Sequence, residues 1–211
     1  DLLPLNKALN VLPGQFVYFQ SKPFGEAHPY TISHIAENGA ISITSKSLGK
    51  FSSKLVNINV GDKTYLYGPF GNFTANARSE FIKSDLVLVA GGIGITPFIE
   101  LVKSASKTLD KNIYLFYGNK NSKNIPFEKE LASTANTLPN FKLVNVISDE
   151  PGYTGEKGFI TLEIVKKYLP KELSSYVYYI CGPLPLMQKT VALLLDAGVS
   201  KKRIFTEDFS I

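Results

Sequence analysis

The chain has 211 residues, a formal net charge of +5, 44% hydrophobic residues and 19% charged residues. That suits one large or two modest globular domains, and it contains no apolar run near the roughly 20 residues of a membrane helix and no secretory signal. Cys181 is the only cysteine, which excludes an internal disulfide and a cysteine-ligated iron–sulfur cluster; with only His28 and His34 beside it, no metal site is expected.

The lysines are scattered rather than gathered in a stripe interleaved with aromatics, so nucleic acid is not an expected partner. The only methionine is Met187. Asp1 is therefore not an initiator, and a processed chain or a piece of a longer one is expected.

The first third reads as strands. Gln15–Gln20, Tyr30–Ser33, Ala40–Thr44 and Lys63–Tyr67 are short and rich in β-branched and aromatic residues. Pro-Gly, Asn-Gly, Gly-Asp and Gly-Pro-Phe-Gly separate them. One short helix is expected near Lys50–Leu55, within an antiparallel sheet or barrel.

Within this part, His28-Pro29-Tyr30-Thr31 combines a ring on which a planar cofactor could stack with a hydroxyl that could bond its edge. Ser45, Lys46, Gly49 and Ser52 offer the groups suited to a phosphate. A barrel with surface serines would have the same composition.

After the polar stretch Thr74–Lys83 the pattern changes. Strands Asp85–Ala90, Asn112–Tyr117, Lys142–Ile147 and Tyr176–Ile180 alternate with helices Pro97–Ser106, Phe127–Thr134, Thr161–Tyr168 and Leu184–Ala197. That alternation predicts a parallel α/β sheet.

Gly91-Gly92-Ile93-Gly94-Ile95-Thr96-Pro97 lies between the first of these strands and the first of these helices. Amides near Gly92, Ile93 and Gly94 would face a pyrophosphate, Thr96 would cap the helix, and Pro97 would take its first turn. A tight strand–helix turn without a ligand fits the same residues.

The next strand ends in Gly118-Asn119-Lys120 and lacks the acid that NAD sites place there for the ribose 2′-hydroxyl. Lys120 would suit a 2′-phosphate, so NADPH is expected over NADH; a solvated lysine loop is the alternative. Cys181-Gly182-Pro183 puts a thiol at the carboxyl end of a parallel strand, where ligands bind in open α/β sheets.

Taken in order, these elements resemble the ferredoxin–NADP reductase superfamily over nearly the whole chain. His28-Pro-Tyr-Thr31 is similar to its flavin motif Arg-x-Tyr-Ser/Thr, and Gly49-Lys-Phe-Ser52 to its flavin-phosphate motif. Gly91–Pro97, Cys181-Gly-Pro183 and Glu207-Asp-Phe209 resemble its nucleotide turn, its Cys-Gly-Pro turn and its near-terminal Glu-x-aromatic. Histidine at position 28 is similar to the ferric reductase and NADPH oxidase branch. It also implies a weaker hold on the flavin pyrophosphate, because a neutral imidazole offers one donor where arginine offers a charged fork.

The resemblance implies two domains. An N-terminal antiparallel β-barrel over 1–80 would bind FAD and lack its first strand; a parallel α/β sheet over 81–211 would bind NADPH, with NADH possible. Hydride would pass from nicotinamide to flavin, with Thr31 near the ring edge, Tyr30 against the ring and Ser45 and Lys46 along the ribityl–phosphate path. Cys181 and Glu207 would stand at the hydride-transfer site, and Phe209 would cover the flavin face.

Electrons would leave singly. The expected acceptor is haem in a membrane portion preceding the chain, at the cytoplasmic face of the membrane. The alternatives are a free-standing reductase of a soluble carrier such as ferredoxin or flavodoxin, or of ferric chelates, and a nucleotide-binding regulatory module without flavin chemistry.

Overall fold

A computed structural model describes residues 1–5, 9–75, 84–108 and 111–208. The expected boundary between residues 80 and 81 and the residue Phe209 lie outside the described residues.

The N-terminal part is a four-stranded antiparallel sheet, ordered β3-β2-β1-β4, from β1 (Phe16–Gln20), β2 (Ala27–Ile35), β3 (Ile41–Ile43) and β4 (Tyr65–Phe70). A short helix α1 (Lys50–Lys54) precedes β4. β3 and β4 are its edges among the described residues, and the antiparallel pairing is that expected of this part. Leu2 adds a single bridge to Ile41. The core here is small, built on Val17, Ile32 and Ile41.

The longest strand, β2, was expected only over Tyr30–Ser33 but runs from Ala27 to Ile35. Pairing with β1 holds its first half, at Phe16↔Thr31 and Phe19↔His28, and β3 holds its end, at Ile35↔Ile41. Proline at position 29 is tolerated where His28, Tyr30 and Thr31 carry the pairing.

The second part is a six-stranded parallel sheet in the order β10-β9-β5-β6-β7-β8. Its strands are β5 (Leu86–Gly91), β6 (Ile113–Asn119), β7 (Phe141–Ile147), β8 (Glu156–Lys157), β9 (Val177–Cys181) and β10 (Ile204–Glu207). Helices α2 (Thr96–Thr108), α3 (Glu128–Thr137), α4 (Leu162–Tyr168) and α5 (Leu184–Asp196) connect them.

Every residue of β5 and β9 is buried, as strands covered by helices on both faces require. Phe98 of α2 and Leu131 of α3 join Leu88, Leu115 and Tyr179 on one face. Val165 of α4 and Met187 and Leu194 of α5 join Val87, Val89 and Phe116 on the other. β5 sits between β6 and β9, so strand order reverses there and a crevice opens at the carboxyl ends of these strands.

Asp85 fastens the opposite end of this sheet. Its carboxylate accepts hydrogen bonds from the Asn112 backbone N–H (3.0 Å) and from Lys171 Nζ (2.8 Å), linking the start of β5 to β6 and to the segment after α4. Burial works to raise its pKa, but the bonds from Lys171 and Asn112 outweigh it and hold the carboxyl below its ordinary value. Hydrogen bonds to a charged group contribute about 1.5–3 kcal/mol. Asp85→Ala is expected to cost about that much in chemical denaturation at pH 7. Because the folded pKa is depressed, the wild-type advantage is present above the ordinary aspartate pKa and is lost as pH falls through the lower folded value.

Candidate functional site: a flavin cleft meeting a nucleotide turn

A cleft of about 520 Å³ opens beside β2 and α1. His28, Pro29, Tyr30, Thr31, Ser45, Lys46, Gly49 and Ser52 all line it, so every described residue expected to hold flavin faces one space. Ile93 and Thr96 of the glycine turn line it too.

Thr31 is buried, and its hydroxyl has no hydrogen-bond partner among the described residues. Phe19 meets Tyr30 edge-on, with centroids 6.3 Å apart. His28 stacks on Phe51 of α1 (4.0 Å, 29° between planes), and its Nε2 lies 3.3 Å from Glu26 Oε2. The imidazole is thus held by an aromatic face and a carboxylate rather than projecting as a charged fork.

Ser52 turns inward: its Oγ accepts from the N–H groups of Leu48 (3.0 Å) and Gly49 (3.1 Å). The hydroxyl therefore shapes the loop that would meet a phosphate. Lys46 is exposed at the rim.

The glycine turn differs from expectation in one respect. Gly92–Ile95 form a 3-10 turn that runs straight into α2, with Gly91 at its start. Thr96 has helical dihedrals, and its Oγ1 donates to Ile93 O (3.1 Å), so Thr96 does not cap the helix. In an i→i+3 turn that starts at Gly91, the Gly94 N–H is used within the turn and the amides of Gly92 and Ile93 are its leading donors, while Pro97 lies inside the helix in its first turn.

Two of the glycines are obligatory. Gly92 has φ +53°, with open space where a Cβ would stand. At Gly94 a Cβ would overlap the carbonyl of Cys181 and the Cα of Gly182. Gly182 itself has φ +156° and lies against Gly91, and Pro183 follows it as an exposed residue before α5.

Tyr117 is a positioning residue that pattern reading missed. It is fully buried, and its hydroxyl donates to Gly92 O (2.9 Å) and also lies within reach of Pro126 O (3.3 Å). Burial raises its pKa, so it stays a donor. At the end of the same strand, the Asn119 side chain is buried beside the Tyr117 hydroxyl. The leading amides of the turn and the open space at Gly92 fit a bound dinucleotide.

Cys181 is fully buried, and burial together with the Glu207 and Asp208 carboxylates raises its pKa; it is a neutral thiol. Glu207 stands opposite it in the β10–β9 register. Lys120 is exposed at the end of β6. Behind it, Ser122 N and Oγ donate to Glu150 (2.7 and 2.9 Å), and these bonds hold the Glu150 carboxyl below its ordinary pKa. Neither β10 nor this loop contact follows from local pattern.

The FAD-binding domain family matches residues 3–91, and the oxidoreductase NAD-binding domain family matches residues 88–192. A flavohemoprotein of Rhizobium meliloti is 33% identical over 188 residues, 85% of this chain and 44% of its own length. NADH-cytochrome b5 reductase 1 of Dictyostelium discoideum is 33% identical over 185 residues, 84% of this chain and 63% of its own. The chain belongs to the ferredoxin–NADP reductase-like oxidoreductases.

The crystal structure of the FAD/NAD-binding domain of Vibrio cholerae nitric oxide dioxygenase superposes with a TM-score of 0.81 at 26% identity, covering 95% of this chain and 86% of that one. The chain thus spans less than two thirds of the length of the two curated relatives. It is an FAD- and NAD(P)H-dependent oxidoreductase domain. By name these relatives are a flavohemoprotein and an NADH-cytochrome b5 reductase, which does not carry the narrower likeness to ferric reductases. Among the described residues no helix is long and apolar enough to cross a membrane, and no cluster of metal-ligating residues occurs.

Burial raises the Glu207 pKa from 4.5 to about 7. A raised carboxyl adds stability that is complete below about 4.5 and is lost as pH rises through about 7. Glu207→Gln removes that titration. Its melting temperature is expected to exceed wild type at pH 8 and to match it at pH 4.5, by thermal denaturation at both values.

Proposed function

We propose that this domain binds FAD in the β2–α1 cleft and NAD(P)H at the glycine turn, and delivers electrons singly to a separate one-electron acceptor. One observation carries the reading: Ile93 and Thr96 of the nucleotide turn line the same cleft as His28–Thr31. When bound, FAD accepts two electrons as a hydride and releases them one at a time.

The chain's own residues orient and exclude. Thr31 offers its free hydroxyl to the ring edge, and Tyr30 offers its face. Lys46 and the loop shaped by Ser52 meet the phosphates, assisted weakly by His28. The amides of Gly92 and Ile93 hold the nucleotide pyrophosphate at the start of α2. Cys181, a neutral thiol, packs at the nicotinamide without bringing a charge, and Glu207 supplies a carboxyl that changes state near neutrality.

For the acceptor we favour a separate carrier or haem domain over haem in a preceding membrane portion. The names of the relatives support this, since one refers to cytochrome b5 and the other to a haemoprotein. A regulatory module would have no use for the free Thr31 hydroxyl.

We also propose NADH over NADPH, against the expectation from Lys120. Glu150 occupies the amide and hydroxyl of Ser122 at the loop after β6, so an ionised carboxylate stands where a 2′-phosphate would need donors. A carboxylate there accepts from a ribose hydroxyl and repels a phosphate.

Adding FAD and then NADH under anaerobic conditions is expected to bleach the bound flavin's visible band; a band unchanged by either nucleotide would overturn the reading. Thr31→Ala is expected to slow that bleaching by ~10–100-fold, the loss of one oriented hydrogen bond worth about 1–3 kcal/mol. NADH is expected to give the higher kcat/KM. Glu150→Gln should narrow its advantage over NADPH by ~10-fold, about 1.4 kcal/mol of lost charge discrimination. Preference for NADPH in the wild type would restore the Lys120 assignment.

A further inference from the structure

β2 serves two sites with one strand. Its first half carries His28–Thr31 in the flavin cleft, and its second half docks on the nucleotide-binding part. Where it crosses, His34 Nε2 lies 2.9 and 3.1 Å from the two carboxylate oxygens of Glu130 on α3, 96 residues away in sequence. One residue on, the Ile35 N–H donates to the buried Glu100 of α2 (3.3 Å).

The contact leads back to the glycine turn. The His34 ring packs on Phe127 (5.5 Å between centroids), which has φ +59° and sits directly before α3. The preceding residue is Pro126, whose carbonyl lies 3.3 Å from the Tyr117 hydroxyl that donates to Gly92 O. An unbroken set of contacts thus joins the strand bearing Thr31 to the turn bearing Gly92.

We propose that the His34–Glu130 pair is a positioning clamp that sets how the flavin strand faces the nicotinamide turn, and so sets the rate of hydride transfer. The proposal rests on the flavin–nucleotide reading above. Both side chains are about a third exposed, 30% for His34 and 38% for Glu130. A pair so exposed adds little to folding stability. Reaction rate responds differently, because a misplacement of about 1 Å between reactants can cost ~100-fold. The clamp's signature is therefore a slower limiting rate in a protein of unchanged stability.

The test is anaerobic stopped-flow reduction of the FAD-loaded chain at saturating NADH and NADPH, on wild type, His34→Ala, Glu130→Ala, the double variant and His34→Gln. Each alanine variant is expected to lower the limiting reduction rate by ~10-fold, the effect of a displacement well under 1 Å on the scale above. The double variant should be no slower than the singles. His34→Gln, which keeps a donor for Glu130, should recover most of the rate. FAD affinity and melting temperature should match wild type throughout.

Wild-type limiting rates in both alanine variants overturn the clamp. So does a rate loss matched by a loss of FAD affinity or of melting temperature, which marks a merely structural contact, and so does a raised KM at an unchanged limiting rate. A wild-type flavin reduced by neither nucleotide overturns the functional reading together with the clamp, whereas normal wild-type reduction with unaffected variants overturns the clamp alone.

Discussion

At Gly94 there is no room for a side chain, because the carbonyl of Cys181 and the Cα of Gly182 occupy the space a Cβ would need. This close approach follows from the parallel register of β5 and β9, which sets Ala90 opposite Cys181 and ends both strands at one level. Two turns packed backbone to backbone make a floor with the first amides of a long helix at its edge. Cys181, a buried neutral thiol, and Glu207 opposite it in β10 stand beside that contact. A larger residue at position 94 would part β5 from β9 and separate the helix amides from the thiol.

The motifs legible in the sequence are those whose chemistry is local. A glycine that needs a positive φ, a proline in a first helical turn and a strand buried on both faces each leave a mark within a few residues. That is why Gly91–Pro97, Cys181–Pro183 and the alternation of β5 to α5 could be read directly. The cleft residues His28 to Ser52 could be read as a set only because three short segments share one kind of ligand chemistry.

What escaped reading depends on partners far apart in the chain. Tyr117 looks like one more buried aromatic in β6, and only the fold sets its hydroxyl against Gly92 O. Glu150 follows β7, yet it closes on Ser122 after β6, so a carboxylate reaches the loop after β6 from beyond the neighbouring strand. β10 is four residues long and gains its place from pairing with β9 rather than from its own composition. The helix-cap assignment of Thr96 failed for a related reason: a 3-10 turn and an α-helix joined end to end leave no break for a cap to fill.

These distant contacts differ in kind from apolar packing. The fully buried side chains of the parallel sheet account for stability, and their identity is loosely constrained, since volume and burial matter most. Tyr117, Glu150 and His34 each make directed polar contacts at or near a strand end, and the net contribution of such bonds to folding is modest. A two-cofactor site needs such bonds nevertheless. Hydrophobic burial is non-directional, and it brings the two sheets together without specifying, to a fraction of an ångström, how Thr31 faces Gly92. Directed polar contacts between the two parts supply that specification, and α2, which accepts β2 through Glu100 while carrying the nucleotide turn at its N-terminus, is the rigid element on which they act.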